Sequence, residues 1–485
     1  MRISDISLLT AGIALSAAIQ GQSATTNTWD GGAAIVLPSD NSWSIAANWV
    51  EDAPPGAGAY VVFDHRATEL TNVLDVARTL DSLDFTYTTN GTSSSHVLDL
   101  NGLTLTVTNL LAVGHERTSI HTNGSAQAVI RNGTLQLGNA ATVQIANGME
   151  FRQPSAGILT LGCNAAWQSG RLAGLLVGSM SNGQYESHGT LDLSAMTNTS
   201  SLVWMDGITP VAGTLNADKL HIGYDPFDRY ESTAAFKIGT AMTQLIVKTE
   251  FFIGVASSAT LAWPTTNIQY RIGVDNTARA DMRLTVAGGH RDASGIDLLW
   301  APMGGTFRGY LGSLQLGIGS SNDRANGFWK AILDLTGTTV EAFDVSGDLT
   351  IGGALALLGT GRGQGTLRLP AVTARVGGNL VVDKGGASGS RSGLLELYGT
   401  QLTVEGDVIV NAYGVVRYVY QPQNKAGNWF LRTPGNKLAA WQSYLAGGLM
   451  TASGLPPGAT FGVWMNGGYT YLGLPPAGGT VVSFK

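Results

Sequence analysis

Between Ala331 and Asn411 the chain states nearly the same pattern three times: ILDLTGTTVEAFDVSGDLTIG over 332–352, TLRLPAVTARVGGNLVVD over 366–383 and LLELYGTQLTVEGDVIVN over 394–411. Each copy reads as an alternating strand, a small-residue corner, a second strand, a Gly-containing corner and a third strand ending in an apolar-x-apolar triplet. The copies close at Gly352, Asp383 and Asn411, 31 (383 − 352) and 28 (411 − 383) residues apart. A unit of this size cannot bury its own apolar face, so successive units must stack. The fold class predicted is all-β: a parallel β-helix, or β-solenoid. With strands about 4.8 Å apart, roughly ten to twelve coils make a rod on the order of 50 Å long. A flat sandwich is the alternative, but it leaves unexplained why the corner glycines follow the same triplet each time.

Gly accounts for 65 of 485 residues and charged residues for 13%, against about 7% and about 25% in ordinary globular chains. A solenoid explains both numbers, because corners need Gly where φ is positive and stacked strands offer few places that require a charge. An apolar fraction of 44% is enough for a core. A net charge of −6 without any Lys/Arg-rich run argues against a nucleic-acid partner, which needs a basic stripe.

Four regions follow. Residues 1–24 read as an export signal: Arg2, the apolar run Leu8–Ile19, then Gly21, Ser23 and Ala24 as small residues for cleavage. The run is too short to span a bilayer as a helix, and no transmembrane segment is expected in the mature chain. Residues 25–85 form an opening cap, whose Trp29, Trp43 and Trp49 are placed to cover the exposed end of a stacked core. Residues 86–420 carry the repeats. Their triplet-plus-Gly corners fall at Gly114, Gly138, Gly162, Gly178, Gly223, Gly254, Gly273, Gly317 and Gly352. The first intervals are 24, 24 and 16 residues and a later one is 45 (223 − 178), so some coils carry insertions. Residues 421–485 form a closing cap. Lys437–Leu445 has helical spacing, with Asn436 as N-cap and Gly447-Gly448 as stop; a hairpin of 459–465 and 469–474 follows, joined at Asn466-Gly467-Gly468. The single cysteine, Cys163, excludes an intrachain disulfide and is expected as a small buried corner side chain. N-x-Ser/Thr sequons stand at Asn90, Asn123, Asn132 and Asn198.

The opening TWDGG…NSWSIAANW…VVFD and the recurring L-x-I-G…G-T-L-x-L…V-x-G-D-L elements resemble bacterial proteins with autotransporter-associated β-strand repeats. The resemblance covers most of 28–411 and implies a secreted or cell-surface β-helix similar to an autotransporter passenger. It specifies architecture and not activity. The 65 non-repetitive residues after 420 (485 − 420) do not accommodate the membrane barrel that closes a true autotransporter, which implies soluble secretion or attachment through a partner.

Chemistry is sparser than shape. Asp348 and Asp407 occupy equivalent corners with Asn379 between them. As a carboxylate ladder they would suit glycoside hydrolysis; as turn residues they bond their own backbone, which is the reading the interrupting Asn favours. Charge gathers after the triplet corners: His115-Glu116-Arg117, then YDPFDRYE over 224–231, then Asp275, Arg279, Asp281 and Arg283, then Asp323-Arg324, Lys384 and Arg391. These are expected to project from one edge of the rod. The binding candidates are Tyr224, Asp225, Phe227, Asp228, Arg229 and Tyr230, whose rings suit stacking on sugars; the alternative is a solvated edge that keeps the rod soluble. The seven histidines never fall in a paired ligand spacing, no Gly-x-Ser-x-Gly elbow precedes a helix, and no metal or cofactor is expected. The expected protein is therefore a monomeric structural or adhesive β-helix that meets an extracellular polysaccharide or cell-surface component. A polysaccharide lyase or glycosidase on the same scaffold is the alternative. The departures from the repeat, above all 224–231 and 275–310, are where function is expected.

Overall fold

The computed structural model describes residues 25–32, 40–87, 93–116, 124–146, 155–179, 187–205, 207, 209–225, 232–255, 257–264, 266–286, 297–319, 328–354, 362–385, 392–424, 427–476 and 482–483. The export segment expected over 1–24 lies outside them, as do Asn90 and Asn123. The chain is 63% strand and 4% helix and forms a β-solenoid of about 11 turns. Each turn lays one strand on each of three faces. In the last repeats these are Arg362–Leu369 on the third face, Thr373–Val376 on the first and Leu380–Lys384 on the second. The three repeat copies are therefore three successive turns, each counted from the third face.

Register is parallel from coil to coil, and that register builds the core. Along the second face Val113, Ile145, Val177, Ile222, Ile253, Leu284, Leu316, Ile351, Val382 and Val410 stand directly above one another. All are at most 3% exposed. Each such side chain contributes roughly 1.5–3 kcal/mol of burial, and the alternating residue faces outward. The first and second faces belong to one 25-stranded sheet, while the third face is two sheets of seven and six strands. At the break between Ser257–Ala262 and Asp297–Trp300, Trp300 packs on Phe251, Tyr270 and Trp263 at centroid distances of 5.2, 5.1 and 6.1 Å.

The corner between the second and third faces requires a left-handed residue in every turn, and glycine fills it most often. Gly114, Ala146, Gly178, Gly223, Gly254, Thr285, Gly317, Gly352 and Asp383 occupy it in successive turns, all with φ between 52° and 73°. Of the corner glycines read from the sequence, those that share this corner are Gly114, Gly178, Gly223, Gly254, Gly317 and Gly352. Gly138 and Gly273 lie at the corner between the first and second faces, and Gly162 follows the third. The uneven intervals arose from merging three corners. Within the true column the spacing is 31–35 residues, except for the 45 between Gly178 and Gly223 (223 − 178). Opposite it, the third face carries a file of small residues, Ala126-Gly157-Gly189-Ala234-Ala259 and then Ala331-Gly365-Gly393-Gly414. A Cβ on Gly189 would lie 2.2 Å from the Gly178 nitrogen, so close approach, and not φ, requires these glycines.

Both ends are closed. Trp29, Trp43 and Trp49 are at most 1% exposed and meet edge-on, with centroids 5.1 and 5.5 Å apart. Each indole N–H is satisfied: Trp29 donates to the Glu69 carbonyl, Trp43 to Asn72 Oδ1 and Trp49 to the Trp43 carbonyl, all at 2.9 Å. The parallel stack already begins in this region, with Thr26–Trp29 on Tyr60–Phe63. At the other end a helix, α1 (Leu438–Ala446), starts one residue later than its spacing predicts, and Asn436 Oδ1 accepts the Leu438 N–H at 3.2 Å. The hairpin Gly462–Asn466 and Tyr469–Gly473 pairs antiparallel with Trp429–Pro434, ending the parallel stack. Its turn places Gly467 and Gly468 at φ 56° and 82°, the two positive values a two-residue hairpin needs.

Two corner readings change. Cys163 is exposed, not buried, because the turn through Asn164 (φ 57°) directs it away from the core. Asp348 and Asn379 bond the next coil and not their own turn: Asp348 Oδ1 accepts the Asn379 N–H at 2.7 Å, and Asn379 Oδ1 accepts the Asp407 N–H at 2.9 Å. Asp407 ends the series on Lys437 at 2.6 Å. The sequon residues Asn132 and Asn198 hold turns too, through Asp99 Oδ2 at 2.8 Å and the Ser200 N–H at 3.0 Å.

Candidate functional site

Of the six predicted binding residues, Tyr224 and Asp225 fall among the described residues; Phe227, Asp228, Arg229 and Tyr230 lie outside them. Tyr224 ends the strand Thr214–Tyr224 and lies over an outward cluster on the second face. Its ring is 4.6 Å from His221 and 5.3 Å from Phe252. His221 stacks on Phe252 in the next coil at 4.9 Å, and the Arg283 guanidinium covers Phe252 from the coil after that, also at 4.9 Å. Tyr224, Val255, Val286 and Ile318 continue as a register ladder that forms a small second core outside the main one. Asp225 is buried, with its N–H donating to the Val255 carbonyl at 2.9 Å.

Glu250 ties this cluster together. Its carboxylate takes the His221 Nε2–H at 2.8 Å and the Lys219 ammonium at 2.7 Å. The His221 hydrogen bond, with help from Lys219 and against the cost of burial, holds Glu250 at about 2. Burial lowers the His221 pKa more than Glu250 raises it, so the ring is neutral at pH 7. A neutral histidine oriented by a carboxylate has the form of an acid–base pair. Yet the His221 side chain is only 6% exposed, sealed between Phe252 and Tyr224. Its role is to join coils.

The other charges expected on one edge are distributed among several places. Asp275 to Arg279 lies at the first-to-second corner, where Arg279 reaches Asp344 at 3.1 Å. Asp281 and Arg283 lie within the strand Ala280–Val286. Across the rod, charged residues that are register neighbours pair with opposite sign. Asp99 meets Arg131, Asp192 meets Lys237, Asp297 meets Lys330 and Asp344 meets Arg375, at 3.0, 3.5, 2.8 and 3.5 Å. The longest series runs Asp334, Arg368, Glu396, Arg417 over four coils.

One place on the first face departs from both the stacking and the charge rule. In the 45-residue coil the strand Leu202–Met205 stacks on Ala165–Ser169, then turns back as Pro210–Ala212. Apart from the caps, this is the one antiparallel pairing among the described residues. The chain rejoins the stack at Gly213, where φ is 71° and the N–H donates to the Leu202 carbonyl at 2.6 Å. Next, Thr214–Ala217 pairs with Gln244–Val247. The hairpin holds half-buried Trp204 beside a hollow of about 320 Å³, and a second hollow of about 340 Å³ adjoins it. Arg171 and Trp204 line both.

Most of the charged side chains are on the 320 Å³ side. Asn216 and Gln244 line it, and Gln244 is held by hydrogen bonds to Thr214 and Gln269, each at 3.2 Å. Around it stand Arg171, Lys248, Arg271 and Arg308, and no carboxylate lines it among the described residues. Arg171 pairs with Asp218 at 3.3 Å and Arg308 with Glu341 at 2.7 Å. Lys248 and Arg271 have no ion-pair partner among the described residues. The sequence signal for this site is the 45-residue interval between Gly178 and Gly223, which reads only as an inserted coil and lies outside the 224–231 and 275–310 stretches where function is expected. Comparison with known proteins returns no match to any family, curated protein or solved structure.

Proposed function

We propose that this chain is a secreted or cell-surface β-solenoid of the autotransporter-passenger kind, which serves as a rigid scaffold and binds a glycan without transforming it. The observation that carries the binding is the 202–212 hairpin, which interrupts an otherwise regular stack to hold Trp204 beside a hollow of about 320 Å³. That volume lies at the lower end of the range of about 300–1,000 Å³ common for small-ligand sites, and an indole beside polar side chains such as Asn216 and Gln244 suits a sugar ring. The described residues that line the hollow supply no carboxylate pair for two-carboxylate hydrolysis. Among the described residues no helix is long and apolar enough to cross a membrane.

Incubation with a polysaccharide panel, read for both retention and new reducing or unsaturated ends, tests this. The expected outcome is retention without products, weakened about tenfold or more in Trp204→Ala, in line with a lost stacking contact and its burial. Release of oligosaccharides that persists in repeat preparations would turn the reading toward an enzyme.

A further inference from the structure

The hollow beside the hairpin breaks the charge rule of the rest of the rod. Arg271 and Arg308 are direct register neighbours on the first face, with Ile246 below Arg271. Like charges placed directly opposite destabilise a sheet. Glu250 and Asp281 are also like-charged neighbours, but Glu250 is held by Lys219 and His221, and Asp281 accepts the Ser313 hydroxyl at 2.8 Å. Arg271 has no such compensation. It is exposed and, among the described residues, has no ion-pair partner, and Lys248 beside it has none either. Among the described residues four cations and no carboxylate line the hollow, on a chain whose acidic residues outnumber its basic ones, 34 to 28. Arg171 and Arg308 have Asp218 and Glu341 as partners, whereas Lys248 and Arg271 stand side by side without one among the described residues, and such a pair of unmatched cations attracts anions.

We propose that the hollow takes an acidic saccharide, a glycan whose carboxylate or sulfate groups pair with Lys248, Arg271 and Arg308 while a sugar ring rests against Trp204. The proposal rests on the glycan-binding reading above and specifies its ligand class. Arg271 and Arg308 are one coil apart, about 4.8 Å along the rod axis. A polymer with an acidic group on each unit, lying along that axis, meets one cation and then the next. Guanidinium groups suit both carboxylate and sulfate through paired N–H donors. Sulfated and uronate polymers are thus two sources of one recognition chemistry.

The test is a titration of the full chain with polygalacturonate, a sulfated glycan, a neutral glucan and single-stranded DNA, at low and high salt. Arg271→Glu is the main variant. It places an acid opposite Arg308, so the protein is expected to keep or raise its Tm while acidic-glycan affinity falls at least tenfold. Lys248→Ala serves as a second variant, expected to lose affinity by about tenfold without a change of fold. Wild-type binding to one of the two acidic polymers is expected to weaken with salt, and which of them binds identifies the acidic group. Trp204-dependent binding to the neutral glucan, unaffected by salt or by Arg271→Glu, would overturn the acidic-ligand proposal and leave the glycan reading standing. No retention of any glycan removes both. DNA bound as tightly as the acidic glycans would show a general polyanion site and overturn the saccharide assignment.

Discussion

At the scale of single residues, the left-handed column at the second-to-third corner sets the strictest demand. Gly317 combines φ 58° with a position where a Cβ would lie 1.9 Å from the Gln364 carbonyl oxygen. Gly317→Ala is expected to destabilise the protein by about 2 kcal/mol or more, from the left-handed conformation and the forced displacement together; chemical denaturation checks it. Ala146, Thr285 and Asp383 accept the same conformation, so the clash, and not φ alone, makes Gly317 irreplaceable. Glu250 makes a different prediction. Its pKa in the fold, about 2, lies below its ordinary 4.5, so its stabilisation is complete above about pH 4.5 and is lost as pH falls toward 2. His221, held neutral in the fold, adds to the loss below its ordinary 6.5, because the unfolded chain takes up the proton first. Glu250→Gln is expected to cost about 1–3 kcal/mol at pH 7, with the gap to wild type narrowing between pH 4.5 and 2.5. Thermal unfolding at several pH values measures it; a constant gap would show that Glu250 does not titrate as described.

At the scale of elements, the rod and its insertion are separable. Strand register and ion ladders repeat on either side of the 45-residue coil, and Gly213 returns the chain to the stack with a hydrogen bond to Leu202. Replacing 203–212 by a short turn is therefore expected to shift stability by no more than about 1 kcal/mol, as surface insertions usually do, and to remove glycan retention. Calorimetry with the same retention assay checks both halves. The hairpin was legible only as an abnormal interval. Its strands are three and four residues long, too short to show a period of two. By contrast the C-terminal hairpin was legible, since Asn466-Gly467-Gly468 names its turn.

At the scale of the whole molecule, the solenoid was legible because its signal is repeated. Apolar alternation recurring over turns of 31–35 residues leaves stacking as the way to bury the inward residues. The caps were legible as departures from that repeat: three tryptophans at the start, a helix and hairpin at the end. The corners were only partly legible. Three different corners all use small residues, and a pattern of apolar-x-apolar-Gly does not say which face has just ended.

From the sequence alone came the turn length, the inward residues and the turn glycines, because these depend on neighbours a few residues away. The tertiary structure alone decided which charges meet. Arg271 and Arg308 are 37 residues apart (308 − 271) and Arg171 is 100 from Arg271 (271 − 171), so only the stacking register brings them round one hollow. The same holds for His221 and Glu250, which read as unrelated residues until adjacent coils place them 2.8 Å apart. Local periodicity determines a solenoid's core, while its surface is written between coils.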